Sequence, residues 1–323
     1  MTNNLSSENI IINKYLNKLN QNKLGTFNFK NDASFLKLSR NKKLIITNDT
    51  ILENIDFFQN DPPESIANKI ATCNLSDISA MGAYPYAYTL SLCLSNDVNN
   101  YWLERFSKKL LLLQKKYNYF LLGGDLSKSK NLVISANFFG FAPKEKILTR
   151  EGAKLNDDIW ITGNLGDSYI GLLSKKNLIK LNKIYKKYYV NKYLYPIHSS
   201  IGYKINTIAT SAIDISDGLY GDLEKLLISK NIGANIYSNL LPFSKKTKIL
   251  LRSKMVKFDK LLSSGDDYEL LFTANTNKNS IIKKLAKSNN IKISKIGTIS
   301  KNEGIYLDDK KIKIINKSFQ HFS

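Results

Sequence analysis

Two spacings of apolar residues, one near 3.6 and one of 2, divide this chain into helices and strands. Near the N-terminus Ile11, Tyr15 and Leu19 share a helical face behind Ser7, a capping residue type. Strand-like runs follow at 35–38 and 43–47. The next helix has a clear opening, with Asp61 as cap, Pro62 at the first helical position and Glu64 near the reciprocal place of a capping box. Its apolar positions are Ile66, Ile70, Cys73 and Ile78, and Gly82 can end it. Tyr88, Leu90, Leu92 and Leu94 alternate with small residues as a strand. A long amphipathic helix carries Trp102, Phe106, Leu110, Leu113 and Tyr117, and strands are expected at 119–122 and 132–141. The pattern breaks at Pro143-Lys144-Glu145-Lys146, which predicts two domains, 1–143 and 144–323. Beyond it come a strand at 158–162, a loop from Gly163 to Asp167 and a lysine-rich helical stretch. A strand at 212–215, a helix at 219–230 and several later strands complete an α+β pattern.

Composition changes this picture little. The 323 residues are enough for a sizeable core, and no apolar run is long enough to cross a bilayer. The opening MTNNLSSEN lacks the basic and apolar regions of a secretory signal, so the expected compartment is the cytoplasm. Cys73 and Cys93 form neither a disulfide framework nor a metal clip and read as small buried hydrophobes. The formal charge of +21 invites a nucleic-acid reading. Only four of the 48 basic residues are arginines, however (Arg40, Arg105, Arg150 and Arg252), and the lysines are scattered rather than clustered. That distribution is a solvated surface, and neither nucleic acid nor membrane is an expected partner. With His198 and His321 as the only histidines, both read as packing or surface residues, nucleophilic triads are disfavoured.

The aspartates carry more information. Asp49 follows LIIT, Asp77 sits late in a helix, Asp125 ends FLLGGD, and Asp214 and Asp217 stand in SAIDISDGL where a strand gives way to a helix. Asp32 precedes Ala33 in KNDASF. Bare carboxylates beside a core are costly, and helix capping explains only single cases, Asp217 among them. Carboxylates meeting from several elements can instead hold hard divalent cations, and magnesium with phosphates is the fitting chemistry. Gly123-Gly124 and Gly163-Asn164-Leu165-Gly166, each placed after a strand, allow close approach of backbone to phosphate. No P-loop and no GxGxxG is present.

Taken in order, NLSDISAMGAYP, LLGGDLSKS, LTREGAK, ITGNLGDS, AIDISDGLYGDL, LLPFS and SGDDYELLFT resemble the bacterial thiamine-monophosphate kinases. That family lies within the aminoimidazole-ribonucleotide-synthetase-like superfamily, and the likeness runs from Asp32 to Phe322. The resemblance implies transfer of the ATP γ-phosphoryl group to thiamine monophosphate, with several Mg²⁺ ions and ATP as co-substrate. It implies an N-terminal α/β domain whose sheet joins a partner's in a dimer barrel, a C-terminal α/β domain, and a homodimer. Asp32, Thr47, Asn48, Asp49, Asp77, Asp125, Asp214 and Asp217 would line the metal site. Tyr117, Gly124, Asp125, Arg150 and Ser216 would contact the nucleotide, with Asp217 and Arg150 closest to the chemistry. Asp56, Asp266 and Phe319 would hold the acceptor. The chain departs from the family where Lys30-Asn31-Asp32-Ala33 replaces Gly-Asp-Asp-Ala, where Asp56 stands for histidine, and where Ser264 and Asp266 replace glycine and glutamate. These changes fall on the metal and acceptor positions, so a related enzyme acting on another phosphorylated metabolite is the alternative reading.

Overall fold

The computed structural model describes residues 7–38, 40–228 and 231–312 and divides into two compact units. The first comprises Met1–Ile78 and Ala83–Lys144, the second Ser79–Gly82 and Glu145–Ser323. Among the described residues no helix is long and apolar enough to cross a membrane.

The first unit opens with a helical segment that changes pitch: α1 (Glu8–Ile11), a π-helical turn at Ile12–Leu16 and a 3-10 turn at Asn17–Asn20. The expected face is buried at Ile11, Tyr15 and Leu19, but Ser7 makes no side-chain cap. Residues 35–38 are not a strand; Phe35 and Leu38 lie exposed in a loop. Four strands, β1 (Lys42–Leu52), β2 (Tyr84–Leu94), β3 (Phe120–Lys128) and β4 (Val133–Pro143), form one sheet in the order β1-β4-β2-β3. β2 and β3 run parallel, which requires a crossover, and α3 (Asn100–Tyr117) supplies it. The Asn99 side chain caps that helix at Trp102 N–H, and Asn118 ends it in the left-handed region. α2 (Pro63–Ala80) contributes Ile66 and Ile70 to the same core.

Two strands are longer than the apolar runs suggest. β4 pairs with β1 along its whole length, from Lys42 opposite Pro143 to Leu52 opposite Val133. Cross-strand hydrogen bonds thus carry β1 through the polar ITNDT run, and Asp49 lies inside the strand rather than after it. Likewise β3 continues through Gly123, Gly124 and Asp125. A register shift next to Thr89 brings the two backbones together, and a Cβ on Gly124 would meet the Leu90 carbonyl oxygen at 1.8 Å. The barrel implied by the resemblance is not found. The sheet is open, with β1 and β3 as its edges, and four strands are too few to close when small barrels take about eight. Cys73 and Cys93 are half-buried rather than buried and share no disulfide.

The second unit is built on a seven-stranded sheet of order β11-β10-β7-β9-β5-β8-β6. Its strands are β5 (Asp158–Thr162), β6 (Ser211–Ile215), β7 (Gly233–Ile236), β8 (Glu269–Ala274), β9 (Ile293–Ser300), β10 (Gly304–Leu307) and β11 (Lys310–Lys311). Its helices are α4 (Asp167–Lys175), α5 (Lys183–Leu194), α6 (Gly202–Ile205), α7 (Leu219–Leu227), α8 (Lys245–Arg252), α9 (Phe258–Leu262) and α10 (Asn279–Ser288). Every residue of β5 and β6 is buried, because both faces of the sheet are covered. Ile161, Ile213 and Leu271 pack with Leu219 and Leu223 on one side. Trp160, Ala212 and Phe272 pack with Ile205 and Ile282 on the other.

The tight β2–β3 contact is testable. Gly124→Ala should push β3 off β2 and cost about 1–3 kcal/mol, as overpacking does. Thermal unfolding followed by circular dichroism should shift down by several degrees; an unchanged midpoint would show that the strands are not so closely joined.

Candidate active site

Alternation along β1 sorts the expected metal residues of the first unit. Thr47 and Asp49 point toward α2, where Thr47 Oγ1 donates to Asp77 Oδ2 at 2.5 Å. Asn48 points to the other face and donates to Asn137 Oδ1 at 2.9 Å and the Ala136 carbonyl at 3.2 Å on β4. A period of two cannot bring all three side chains to one spot. Asp56, in the turn after β1, accepts from Leu52 N–H at 2.8 Å, while Lys69 Nζ donates to its backbone carbonyl at 2.7 Å.

Asp49 is the electrostatic centre of this group. Its Oδ2 is enclosed and accepts no hydrogen bond. Burial first, then the charges of Asp77 and Asp56, push its carboxyl up to about 7. An enclosed carboxylate oxygen with no donor, repelled by two neighbouring acids, is what a divalent cation would satisfy, so these residues fit magnesium. Among the described residues no three His, Cys, Asp or Glu side chains gather closely enough to form a metal shell by themselves. A magnesium ion on Asp49 and Asp77 would complete its shell with water and phosphate oxygens, as this ion usually does.

Asp32, Gly124 and Asp125 meet in a second place, a cavity of about 740 Å³ walled by Phe35, Leu90 and Phe139. Ser34 Oγ fastens the loop to β3 by donating to the Leu122 carbonyl at 2.7 Å. Asp125 is exposed and accepts from Ser127 Oγ at 2.9 Å. Tyr117 closes α3 and does not line this cavity.

In the second unit the end of β6 gathers four of the expected residues. Asp214 is buried near the end of the strand. Ser216 and Asp217 follow in a loop whose backbone N–H groups both donate to Asp222 Oδ2, at 3.1 and 3.0 Å. Asp266 N–H donates to the Ser216 carbonyl at 2.9 Å, and Tyr268 N–H to that of Ile215 at 2.8 Å, which docks the SGDDYEL segment alongside. That docking needs Gly265, whose Cβ would meet the Ser216 carbonyl oxygen at 2.0 Å. Arg150 is exposed on a 3-10 turn fixed beside the start of β6 by the Ala212 N–H bond to the Thr149 carbonyl, 3.0 Å. Phe319 lies outside the described residues.

Asp222 and Lys225 have functions the motif reading did not single out. Asp222 is almost wholly buried and fixes the Ser216-Asp217 loop. Lys225 Nζ sits 2.5 Å from Asp217 Oδ2 and 2.8 Å from Asp222 Oδ1. Burial works against the ammonium charge, yet the two carboxylates raise its pKa. The sequence signal was available, because Asp222 and Lys225 recur three apart on the helix that opens at the loop.

The Asp49 cluster gives a pH prediction for the magnesium-free protein. A carboxyl whose folded pKa is raised from 3.8 to about 7 contributes its stability below the lower value and loses it as pH rises through the upper. The cost at pH 8 is of order 4 kcal/mol by linkage. Asp49→Asn should therefore melt higher than the wild type at pH 8, with the gap closing toward pH 4. Equal melting temperatures across that range would remove the assignment.

The chain is similar to known proteins over nearly its whole length. Residues 30–142 match the family described as AIR synthase related protein, N-terminal domain. The thiamine-monophosphate kinase of Buchnera aphidicola subsp. Acyrthosiphon pisum (strain APS) is 38% identical over 296 residues, spanning 90% of this chain and 91% of the relative. The crystal structure of thiamine-monophosphate kinase from Stenotrophomonas maltophilia K279a superposes with a TM-score of 0.82 at 29% identity, over 95% of this chain and 98% of that one. A structure described as AaThiL complexed with AMPPCP and TMP gives a TM-score of 0.79 at 28% identity, over 88% of this chain and 89% of that one. Matched over nearly its whole length at such identity, this chain belongs to the thiamine-monophosphate kinase family.

Proposed function

We propose that this protein transfers the γ-phosphoryl group of ATP to the phosphate of thiamine monophosphate, giving thiamine diphosphate and ADP. Family membership carries this reading. It is supported by the complex of a related structure with AMPPCP and TMP, the latter read here as thiamine monophosphate. The acceptor phosphate oxygen is already anionic, so no general base and no phosphoenzyme are required. The reaction instead demands positioning and charge neutralisation of two crowded phosphates.

The chain's own residues supply that work. In our reading Asp49, Asp77, Thr47 and Asp56 form one acidic station, while Asp32, Gly124 and Asp125 form another, with Asn48 on the opposite face of β1. Asp214, Asp217 and Ser216 form a third, whose loop Asp222 holds rigid. Magnesium, when bound at such carboxylates, would screen phosphate repulsion and stabilise charge on the transferring group. Arg150 adds a permanent positive charge for the nucleotide, Tyr117 a further contact with it, and Asp266, Asp56 and Phe319 orient the acceptor. The protein works in the cytoplasm, where ATP is made available, and as a homodimer; light scattering tests the latter.

Purified protein given ATP and thiamine monophosphate should form thiamine diphosphate only when magnesium is added. Asp217→Asn should lower kcat by about a hundredfold or more, the scale of losing one charge-stabilising group. Product formation without any divalent cation, or a fully active Asp217→Asn protein, would refute the magnesium assignment.

A further inference from the structure

The second unit holds a small pocket of about 50 Å³, bounded by Asn164, Asp167, Ser168, Lys192, Asp266 and Glu269. That is roughly the space of one small polar group or a few waters, and too little for a ring. Its lining is rich in acceptors and poor in cations. Glu269, at the start of β8, accepts from Thr162 Oγ1 at 2.6 Å, and burial pushes its carboxyl up to about 7. Asp167 is engaged by Tyr188, Ser244 and Thr247 at 2.6–2.9 Å. Asp266 accepts from Tyr268 OH at 2.9 Å.

Ser168 stands apart from this network. It is the second residue of α4, is 4% exposed, and its Oγ is enclosed without a hydrogen-bond partner. Buried hydroxyls are seldom left so, because the lost hydration is costly. The facing wall is held at a cost as well, since Asp266 and Tyr268 adopt φ of 68° and 51°, a region non-glycine residues avoid. An enclosed hydroxyl with no partner, acidic neighbours and a strained wall together describe a place for a hydrogen-bond-donating group. Such a lining repels the phosphate end of an acceptor and attracts an amine.

We propose that this pocket receives the exocyclic amino group of the acceptor's pyrimidine ring, with Ser168 and Glu269 as specificity-determining residues beside Asp266. The inference rests on thiamine monophosphate being the acceptor. That molecule carries an exocyclic amine on its pyrimidine ring, the ring that does not bear the phosphate. A site built to bond an N–H discriminates sharply against a ligand that cannot donate one, since buried acceptors are then left unpaired.

The test is calorimetric binding of thiamine monophosphate and of its oxo analogue, oxythiamine monophosphate, in which oxygen replaces the amine. Both are titrated into full-length protein with magnesium and a non-hydrolysable ATP analogue. The wild type should favour the amine by about tenfold or more. Ser168→Ala and Glu269→Gln should each erase most of that preference while changing affinity for the oxo analogue less than about twofold. Equal affinity of the wild type for both ligands would overturn the proposal, as would variants that weaken both ligands by one common factor. Should Glu269→Gln fail to fold, Ser168→Ala decides alone. A wild type that neither binds thiamine monophosphate nor makes thiamine diphosphate would instead bring down the reading of the acceptor, which separates the two failures.

Discussion

Carboxylates held together against their mutual repulsion are the constraint on which the rest of this protein depends. Asp49, Asp77 and Asp56 come from a strand, a helix and a turn, and burial strips Asp49 of the water that would otherwise offset the charges. Such an arrangement is unfavourable by itself. It persists because β1 is pinned along its whole length by β4 and because α2, anchored by the buried Ile66 and Ile70, is joined to it by the Thr47–Asp77 hydrogen bond. The fold supplies the stability that offsets this repulsion.

The end of β6 meets the same problem differently. Asp214 is buried within the sheet, and the loop after it is fixed by one carboxylate, Asp222, that accepts two backbone N–H groups. Lys225 gives Asp217 a partner of opposite charge. Gly265 lets the Asp266 segment lie against the loop backbone, so Asp214, Asp217 and Asp266 share one rigid support. In-line phosphoryl transfer depends on placement more than on covalent chemistry, and this construction answers that need.

Much of this was legible in the sequence, and the failures share a cause. Helices with caps and strong periodicity, such as the one carrying Phe106 and Leu110, were readable because local rules and tertiary packing agree there. β1 and β3 were read too short, since cross-strand pairing with β4 and β2 carries them through polar and glycine positions that look like loop. Phe35 and Leu38 look like strand residues but lie exposed in a loop, where the Phe35 N–H bonds the Gly25 carbonyl instead of joining a sheet. At the site, the ordered motifs located the aspartates, yet alternation along β1 separates Asn48 from Thr47 and Asp49. Asp222 and Lys225 left a signal in their i, i+3 spacing that the motifs did not use, whereas Ser168 and Glu269 escaped notice because their importance lies in a partner distant in the chain, or in the want of one. No local pattern records that.

The ion pair between Lys225 and Asp217 has a consequence for how the protein behaves under a chelator. Without divalent cations Asp217 has an ammonium partner already in place, and the loop at the end of β6 is held by its bonds to Asp222. Asp49 has no such companion on its enclosed oxygen, and chelation leaves the β1 cluster to accept protons or loosen. The two units therefore respond unequally to the same treatment, with proteolytic nicking expected around the turn that carries Asp56 well before the DISDG loop.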